Sequence, residues 1–421
     1  MVLGFFLFGT LAIFESSAQE TFKVMFYNLL NYPLEEAVPN READFNVILS
    51  DYQPDVLMVC ELNTEIGATN VRSLAQFAIS PDYEMATYVT NTSDDQSSDE
   101  NRLQNLIYFD STKFTLQDEV IVATTLRDFN IYKLRLNTTE QASNPIDIYF
   151  IVCHLKASSG PLNAQRRFEM ILELEVYLNT LPEDANVVLG GDLNVYTASE
   201  PAFLELIDTN NWISFVDPAA RIGSWNNNPF FVDVFTQSTR AATGFGGSRG
   251  GFDDRFDFIL TSSNMMSSAP ITYVPESYKV YGNNGLSSCY NRAINSPNCG
   301  TVNSEFSFAV RDALHNFSDH LPVTLVLETE ATLLSTDEAT PIETTILEKR
   351  LVKNKLELRL HTTGLKNKAL VIYNSLGQRV QQLSTGVDDY QTIDISNLVN
   401  GTYVLWINSD QYQPIKFIVA K

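Results

Sequence analysis

Apolar runs in this chain keep meeting a polar residue at one end, and that pattern constrains the fold more than any other feature. FKVMFYNL reaches Asn28, DVLMVCEL reaches Glu61, IDIYFIVCHL reaches His154, and ANVVLGGDLNVY reaches Asp192 and Asn194. RFDFILTS carries Asp257 near its start, and LPVTLVLE follows directly on Asp319 and His320. Short apolar runs bounded by turn signals read as buried strands. A strand leaving the core delivers its last side chains to the rim, where layered α/β folds bind ligands. One polar strand end is ordinary turn or cap chemistry. Six together, including two of the four histidines in the chain, predict a site.

Periodicity supplies the surrounding architecture. Arg41 to Asp51 reads as a helix with Phe45, Ile48 and Leu49 on one face, stopped by Pro54. Ala164 to Leu178 reads as a second, with Phe168, Ile171, Leu172, Leu174 and Leu178 near its apolar stripe. LIYF is a further short strand. Strands and helices in mixed order over residues 20–328 predict a layered α/β domain. Residues 329–345, TEATLLSTDEATPIETT, are polar and rich in Thr and Glu, as a linker is. Residues 346–421 hold only short strand-like runs, KLELRL, ALVIYNS, TIDISN, GTYVLWIN and IKFIVAK, which predict a small all-β sandwich. A length of 421 residues exceeds one ordinary core, so two domains are expected.

The formal net charge of −23 argues against a protein that holds nucleic acid on a basic face. It fits solubility outside the cell. Transient phosphate chemistry stays open, because a bound divalent cation supplies the local positive field. Residues 1–18 run from an apolar stretch, Val2 to Phe14, into Ser16-Ser17-Ala18, as a signal peptide does. That stretch is too short to span a bilayer, and the expected mature protein is secreted or held at the cell surface. Export permits disulfides, and Cys289 and Cys299, flanking a short polar loop, are expected to form one. Cys60 and Cys153 end apolar runs and are expected as buried thiols; no cysteine–histidine spacing suggests zinc.

Glu61, Asp192 and Asp319 with Asn28 and Asn194 are hard oxygen donors, suited to Mg²⁺, Mn²⁺ or Ca²⁺. His154 and His320 handle protons near neutral pH, and Asp257 is placed to orient one of them. Carboxylates, a hard cation and two imidazoles make a kit for hydrolysing phosphate esters. No Gly-x-Ser-x-Gly elbow, Walker A or dinucleotide fingerprint occurs, and the run TGFGGSRGGFDD reads as a loop.

The ordered series FYNLLNY, VLMVCEL, VCHLKAS, GGDLNVY, RFDFIL and SDHLPV resembles the endonuclease/exonuclease/phosphatase superfamily over nearly all of residues 20–328. The resemblance implies a four-layered α/β sandwich, two mixed β-sheets flanked by helices. It implies that Asn28, Glu61 and Asp319 hold a divalent metal, Mg²⁺ foremost, and that His320, paired with Asp257, activates water. Asp192 and Asn194 would position the nucleophile and the phosphoryl oxygens. His154 matches the second histidine of the deoxyribonuclease-like and phosphatase-like branches, which abasic-site enzymes lack. Lys156 would place a charge on phosphate. The deoxyribonuclease branch pairs that second histidine with a glutamate just before the LIYF-type strand. Here NRLQNLIYF has no carboxylate nearer than Glu100, and Asn105 stands as a candidate substrate contact. The tail, with NSLGQRV, IDISNLVNGTYVLWIN and IKFIVAK, resembles the type IX secretion sorting domain, so the export machinery is the expected partner and no stable protein partner is implied.

The leading expectation is an exported nuclease cleaving DNA or RNA. The alternatives are a phosphomonoesterase or sphingomyelinase-like lipid phosphodiesterase on the same metal core, and an inactive binding protein on the same fold. Rim cations expected of a nuclease are Lys156, Arg166, Arg167, Arg249 and Arg255; the apolar insertion expected of a lipid enzyme would be WNNNPFF, Trp225 to Phe231.

Overall fold

The computed structural model describes residues 19–93, 103–267, 269–334, 351–359, 369–374, 378–384, 390–407 and 415–421. The expected signal peptide and residues 335–345 of the expected linker lie outside them.

The buried apolar runs form two sheets. The first contains β1 (Glu20–Tyr32), β2 (Val56–Leu62), β3 (Tyr83–Met85), β4 (Gln104–Asp110), β11 (Thr272–Tyr273), β12 (Lys279–Val280) and β13 (Val323–Thr329). Its order is β11-β13-β1-β2-β4-β3, with β12 also on β13. The second contains β5 (Phe114–Val122), β6 (Phe129–Leu136), β7 (Asp147–His154), β8 (Asn186–Asp192), β9 (Phe215–Val216) and β10 (Asp257–Ser262), in the order β5-β6-β7-β8-β10-β9. Both mix parallel and antiparallel neighbours: β1 runs parallel to β2 and antiparallel to β13, and β7 parallel to β8 with β10 antiparallel beyond it.

The sheets pack face to face, β1 against β8 and β10, and β2 against β7. Gly190 permits the approach. A Cβ there would lie 2.5 Å from the Met58 methyl on the opposite sheet. Outside the first sheet lie α1 (Arg41–Tyr52), α2 (Glu65–Ala78) and α5 (Phe308–Phe317), α1 touching both others. On the other side α3 (Pro161–Leu178) packs on α4 (Pro201–Leu206). The result is the expected four-layered sandwich around one continuous apolar core. Sequence periodicity had not distinguished β5, whose residues alternate with charges along a largely exposed sheet edge, nor α2 and α5.

Two details depart from expectation. Thr329 completes β13, and the first linker residues are bound rather than free: Thr332 and Leu334 exchange backbone hydrogen bonds with Thr139 and Asn137. The tail is all-β, with β14 (Leu351–Val352), β15 (Lys355–Arg359), β16 (Ala369–Asn374), β17 (Arg379–Ser384), β18 (Tyr390–Asp394), β19 (Gly401–Ile407) and β20 (Ile415–Val419). It has its own core, including Leu356, Leu370, Ile372, Leu405 and Phe417, and two strands, β14 and β17, beyond the runs expected. Cys289 and Cys299 form a disulfide, while Cys60 and Cys153 are free and buried.

Candidate active site

Strand register builds the site. Asp192, the last residue of β8, lies level with His154, the last of β7, and with Asp257, the first of β10. Across the sheets, Asn28 in β1 lies beside Cys60 in β2, so Glu61 follows at the same rim. There the β1–β2 register breaks, and Leu30, Asn31 and Glu61 take left-handed backbone angles. Such angles are unusual for Leu and Glu, though common enough for Asn, and mark a specified turn.

Side chains from both sheets converge on this rim. Asn28 Nδ2 donates to Glu61 Oε1 at 3.0 Å and to Asp192 Oδ2 at 3.1 Å. The other Glu61 oxygen accepts from the Asn31 amide at 3.0 Å. His154 Nε2 stands 3.5 Å from Asp192 Oδ2, and His320 Nε2 stands 3.8 Å from the same oxygen. His320 Nδ1 is 2.7 Å from Asp257 Oδ2. The Asn194 amide N–H donates to Asp192 Oδ1 and its side chain to the Leu155 carbonyl. Ser318 Oγ ties the entry of β13 to β1 within the first sheet, donating to the Asn28 carbonyl and accepting from the His320 amide.

Burial shapes the charges. It raises the Asp192 pKa to about 8, with Asp257 and Glu61 adding to the rise and His320 opposing it. Burial and the Asp319 charge likewise raise Glu61. His154 is pushed well down, first by burial and then by Arg127, His320 and Lys156, and so stays neutral. Burial also opposes charging His320, but Asp257, Asp319 and Asp192 outweigh it and hold its pKa well above the ordinary value.

These observations fit a divalent cation. Crowded carboxylates that resist ionising together are relieved by positive charge among them. Among the described residues, the Asp319 Oδ1 and Asp257 Oδ1 atoms are buried without a partner. Glu61, His154 and Asp192 bring ligand atoms close together, as do Asp192, Asp257 and His320. Hard oxygens dominate the set, as Mg²⁺, Mn²⁺ and Ca²⁺ prefer.

The remaining expected residues divide between buried and exposed positions. Asn105 is buried; its side-chain NH₂ donates to the Asp128 and Val152 carbonyls and Asn130 Oδ1, while its Oδ1 has no partner among the described residues. Lys156 is half-buried just beyond β7, its backbone carbonyl accepting from Arg167. Arg167 and Arg255 are not rim cations. Arg167 is fully buried against Glu200, and Arg255 forms a buried bidentate pair with Asp217. Arg249 is exposed, in the glycine-rich loop. Trp225 is core, its indole packed on Phe203 and Phe258, whereas Phe230 is 83% exposed.

Three site neighbours are not among the residues expected from the sequence. Gln237 reaches His320 Nε2 at 2.6 Å. Arg127, just before β6, donates to the carbonyls of His154 and Leu155. The Ser248 amide donates to Asp319 Oδ2 at 2.6 Å. A polar residue near a strand entrance is the one weak cue, and only Arg127 fits it.

The Endonuclease/Exonuclease/phosphatase family matches residues 25–320, and the Secretion system C-terminal sorting domain matches residues 352–421. No curated protein matches the chain. Similar solved structures include D. rerio TDP2 complexed with single strand DNA product, at 15% identity and a TM-score of 0.45, covering 73% of this chain and 99% of that one. The human Nocturnin catalytic domain with bound sulfate anion is 15% identical with a TM-score of 0.43, covering 73% and 97%. A family protein from Bacteroides thetaiotaomicron is 13% identical with a TM-score of 0.45, covering 74% and 99%.

Proposed function

This chain belongs to the Endonuclease/Exonuclease/phosphatase family, a family of metal-dependent phosphoesterases, and on that footing we propose that it is an exported phosphodiesterase that cleaves DNA or RNA. The observation that carries the reading is the 2.7 Å contact between His320 Nδ1 and Asp257 Oδ2, set among Glu61, Asp192 and Asp319.

Asp257 holds the Nδ1 proton, and once the carboxylate charge that otherwise keeps His320 protonated is offset by a cation among Glu61, Asp192 and Asp319, the Nε2 of the neutral ring takes a proton from water. The water oxygen bonds to phosphorus as the opposite phosphorus–oxygen bond breaks, and the leaving oxygen takes its proton from solvent. Asp192 and Asn194 orient the nucleophile and the phosphoryl oxygens. His154, kept neutral by burial and by Arg127, offers an N–H to one of those oxygens. Lys156 adds charge at the rim. Asn28, Glu61 and Asp319 would hold the cation, Mg²⁺ foremost, which supplies positive charge against the phosphate when bound. The sorting domain would deliver the protein to the secretion machinery.

Arg249, exposed beside the site, favours a polyanionic substrate. A lipid phosphodiester is the second reading, favoured by Phe230 and Ile222, which are 83% and 55% exposed on one loop. Purified protein with Mg²⁺ should hydrolyse plasmid DNA or RNA faster than sphingomyelin or a phosphate monoester, and His320→Ala should abolish that hydrolysis. A preference for sphingomyelin would replace the nuclease reading with the lipid one; full activity of a folded His320→Ala protein would remove the proposed base.

A further inference from the structure

We propose that Gln237 is a positioning residue for His320, holding the imidazole in the form that can accept a proton from water. The inference rests on the reading of His320 as the base. Both ring nitrogens of His320 are occupied, but by opposite kinds of partner. Nδ1 faces the Asp257 carboxylate at 2.7 Å, and Nε2 faces the Gln237 amide nitrogen at 2.6 Å. A carboxylate only accepts, so the ring proton lies on Nδ1. In the neutral ring that leaves a lone pair on Nε2, and an amide N–H is the group that pairs with it. The two contacts are mutually consistent in one tautomer, the one a general base requires.

Gln237 is held for this task through its backbone. Its N–H donates to the Asp254 carbonyl at 3.0 Å, and its own carbonyl accepts from the amides of Asp253 and Asp254 at 3.0 and 2.8 Å. The Asp254 carboxylate is fixed in turn by the Asn226 amide at 2.6 Å. An isolated backbone bridge also joins Gln237 to His320. The neighbouring residue, Thr236, continues the support, its hydroxyl accepting from the Asp257 amide at 3.2 Å. One short segment therefore braces both members of the Asp257–His320 pair. Attacking water displaces the amide from Nε2, gives a proton to the exposed lone pair, and bonds through its oxygen to phosphorus as the opposite phosphorus–oxygen bond breaks and the leaving oxygen takes a proton from solvent.

Glutamate separates this role from space-filling, because it has the shape of glutamine but can only accept. At position 237 it would stabilise a proton already on Nε2 and take the base out of action. In the full-length, Mg²⁺-loaded protein, Gln237→Ala should lower kcat about fivefold to tenfold, the scale of one lost hydrogen bond, with KM changed less than about twofold. Gln237→Glu should lower kcat roughly hundredfold or more, as loss of a general base does. A residue that merely fills space would show the reverse order, and Glu as active as Ala overturns the proposal. Nitrogen NMR of protein labelled at histidine gives a second reading that needs no turnover. Gln237→Ala should move the His320 Nε2 resonance towards an unbonded lone-pair nitrogen and leave Nδ1 in place; an unmoved Nε2 resonance overturns the proposal. If His320→Ala itself retains activity, the catalytic reading fails, and the resonance alone decides whether Gln237 sets the tautomer.

Discussion

The Ser248 amide donates to Asp319 Oδ2 at 2.6 Å, which fastens a glycine-rich surface loop to a carboxylate of the candidate site. The residue before it makes this approach possible. Gly247 has φ +59, and a Cβ there would lie 2.5 Å from Asp319 Oδ2. Arg240 secures the same loop from beneath, donating to the Gly246 carbonyl at 3.0 Å.

Gly247→Ala therefore meets both a left-handed backbone and the Asp319 carboxylate at 2.5 Å. It should shift Asp319, weaken cation affinity and lower kcat by roughly tenfold or more, about the effect of misplacing a reacting group slightly. Metal titration followed by activity checks this. Unchanged cation affinity in a folded variant would separate Asp319 from the metal.

Activity should vanish after dialysis against excess EDTA and return with Mg²⁺. The carboxylates Glu61 and Asp192 resist ionising as long as no positive charge lies among them. A cation at a hundred times its Kd should also stabilise the fold by about 2.7 kcal/mol, by linkage. Calorimetry with and without Mg²⁺ reads that shift, and hydrolysis that persists in EDTA would exclude the metal-dependent reading.

Much of the site was legible because strands carry it. Asn28, Glu61, His154, Asp192, Asp257 and His320 each sit on or beside a strand, so local apolar patterning located them before any tertiary contact was known. Their convergence then follows from register, as with His154 and Asp257 either side of Asp192. Gln237 stayed hidden because it reaches His320 across 83 positions of chain through an irregular segment. Arg167 and Arg255 misled for a related reason. A cation in sequence reads as exposed, and their burial depends on Glu200 and Asp217, 33 and 38 positions away. Local pattern places strand ends; it does not pair distant charges.

Among single substitutions, His320→Ala should cost most, about 10²- to 10⁴-fold in kcat, the usual scale of a general base. Lys156→Ala should cost less than about tenfold and partly through KM, since it adds one charge to a phosphate the cation already faces. Asp257→Asn should fall between them, leaving the imidazole present but poorly oriented. Steady-state kinetics at fixed metal and pH, with folding checked by circular dichroism, ranks the three. A folded His320→Ala protein that keeps more than about a tenth of the rate would move the role to His154.

Residues 346–421 should be dispensable for catalysis. The two apolar cores are separate in composition, one ending at β13 and its flanking residues and the other beginning at Val352. A chain ending after Leu334 keeps the backbone bonds that Thr332 and Leu334 make to the catalytic part. It should fold and match the full-length kcat within about twofold, since no reacting group is lost. A folded but inactive truncation would refute that division.

Glu175 gives a prediction independent of the site. It lies in α3, 8% exposed, with Oε1 buried and unpartnered, and burial, aided by the Glu205 charge, raises its pKa to about 7. The unfolded chain releases this proton near the usual 4.5, whereas the folded protein retains it until about 7. Folding is therefore penalised progressively as pH rises between those values, with the full penalty above them. Glu175→Gln removes the titration. Relative to wild type it should gain on the order of 1–3 kcal/mol between pH 4 and pH 8, after allowance for solvent relaxation. A buried amide carries a cost of its own, but that cost is the same at both pH values and cancels in the difference. Urea unfolding of both proteins at the two pH values measures it. An equal stability gap at pH 4 and pH 8 would mean that Glu175 ionises in the folded protein as freely as in water.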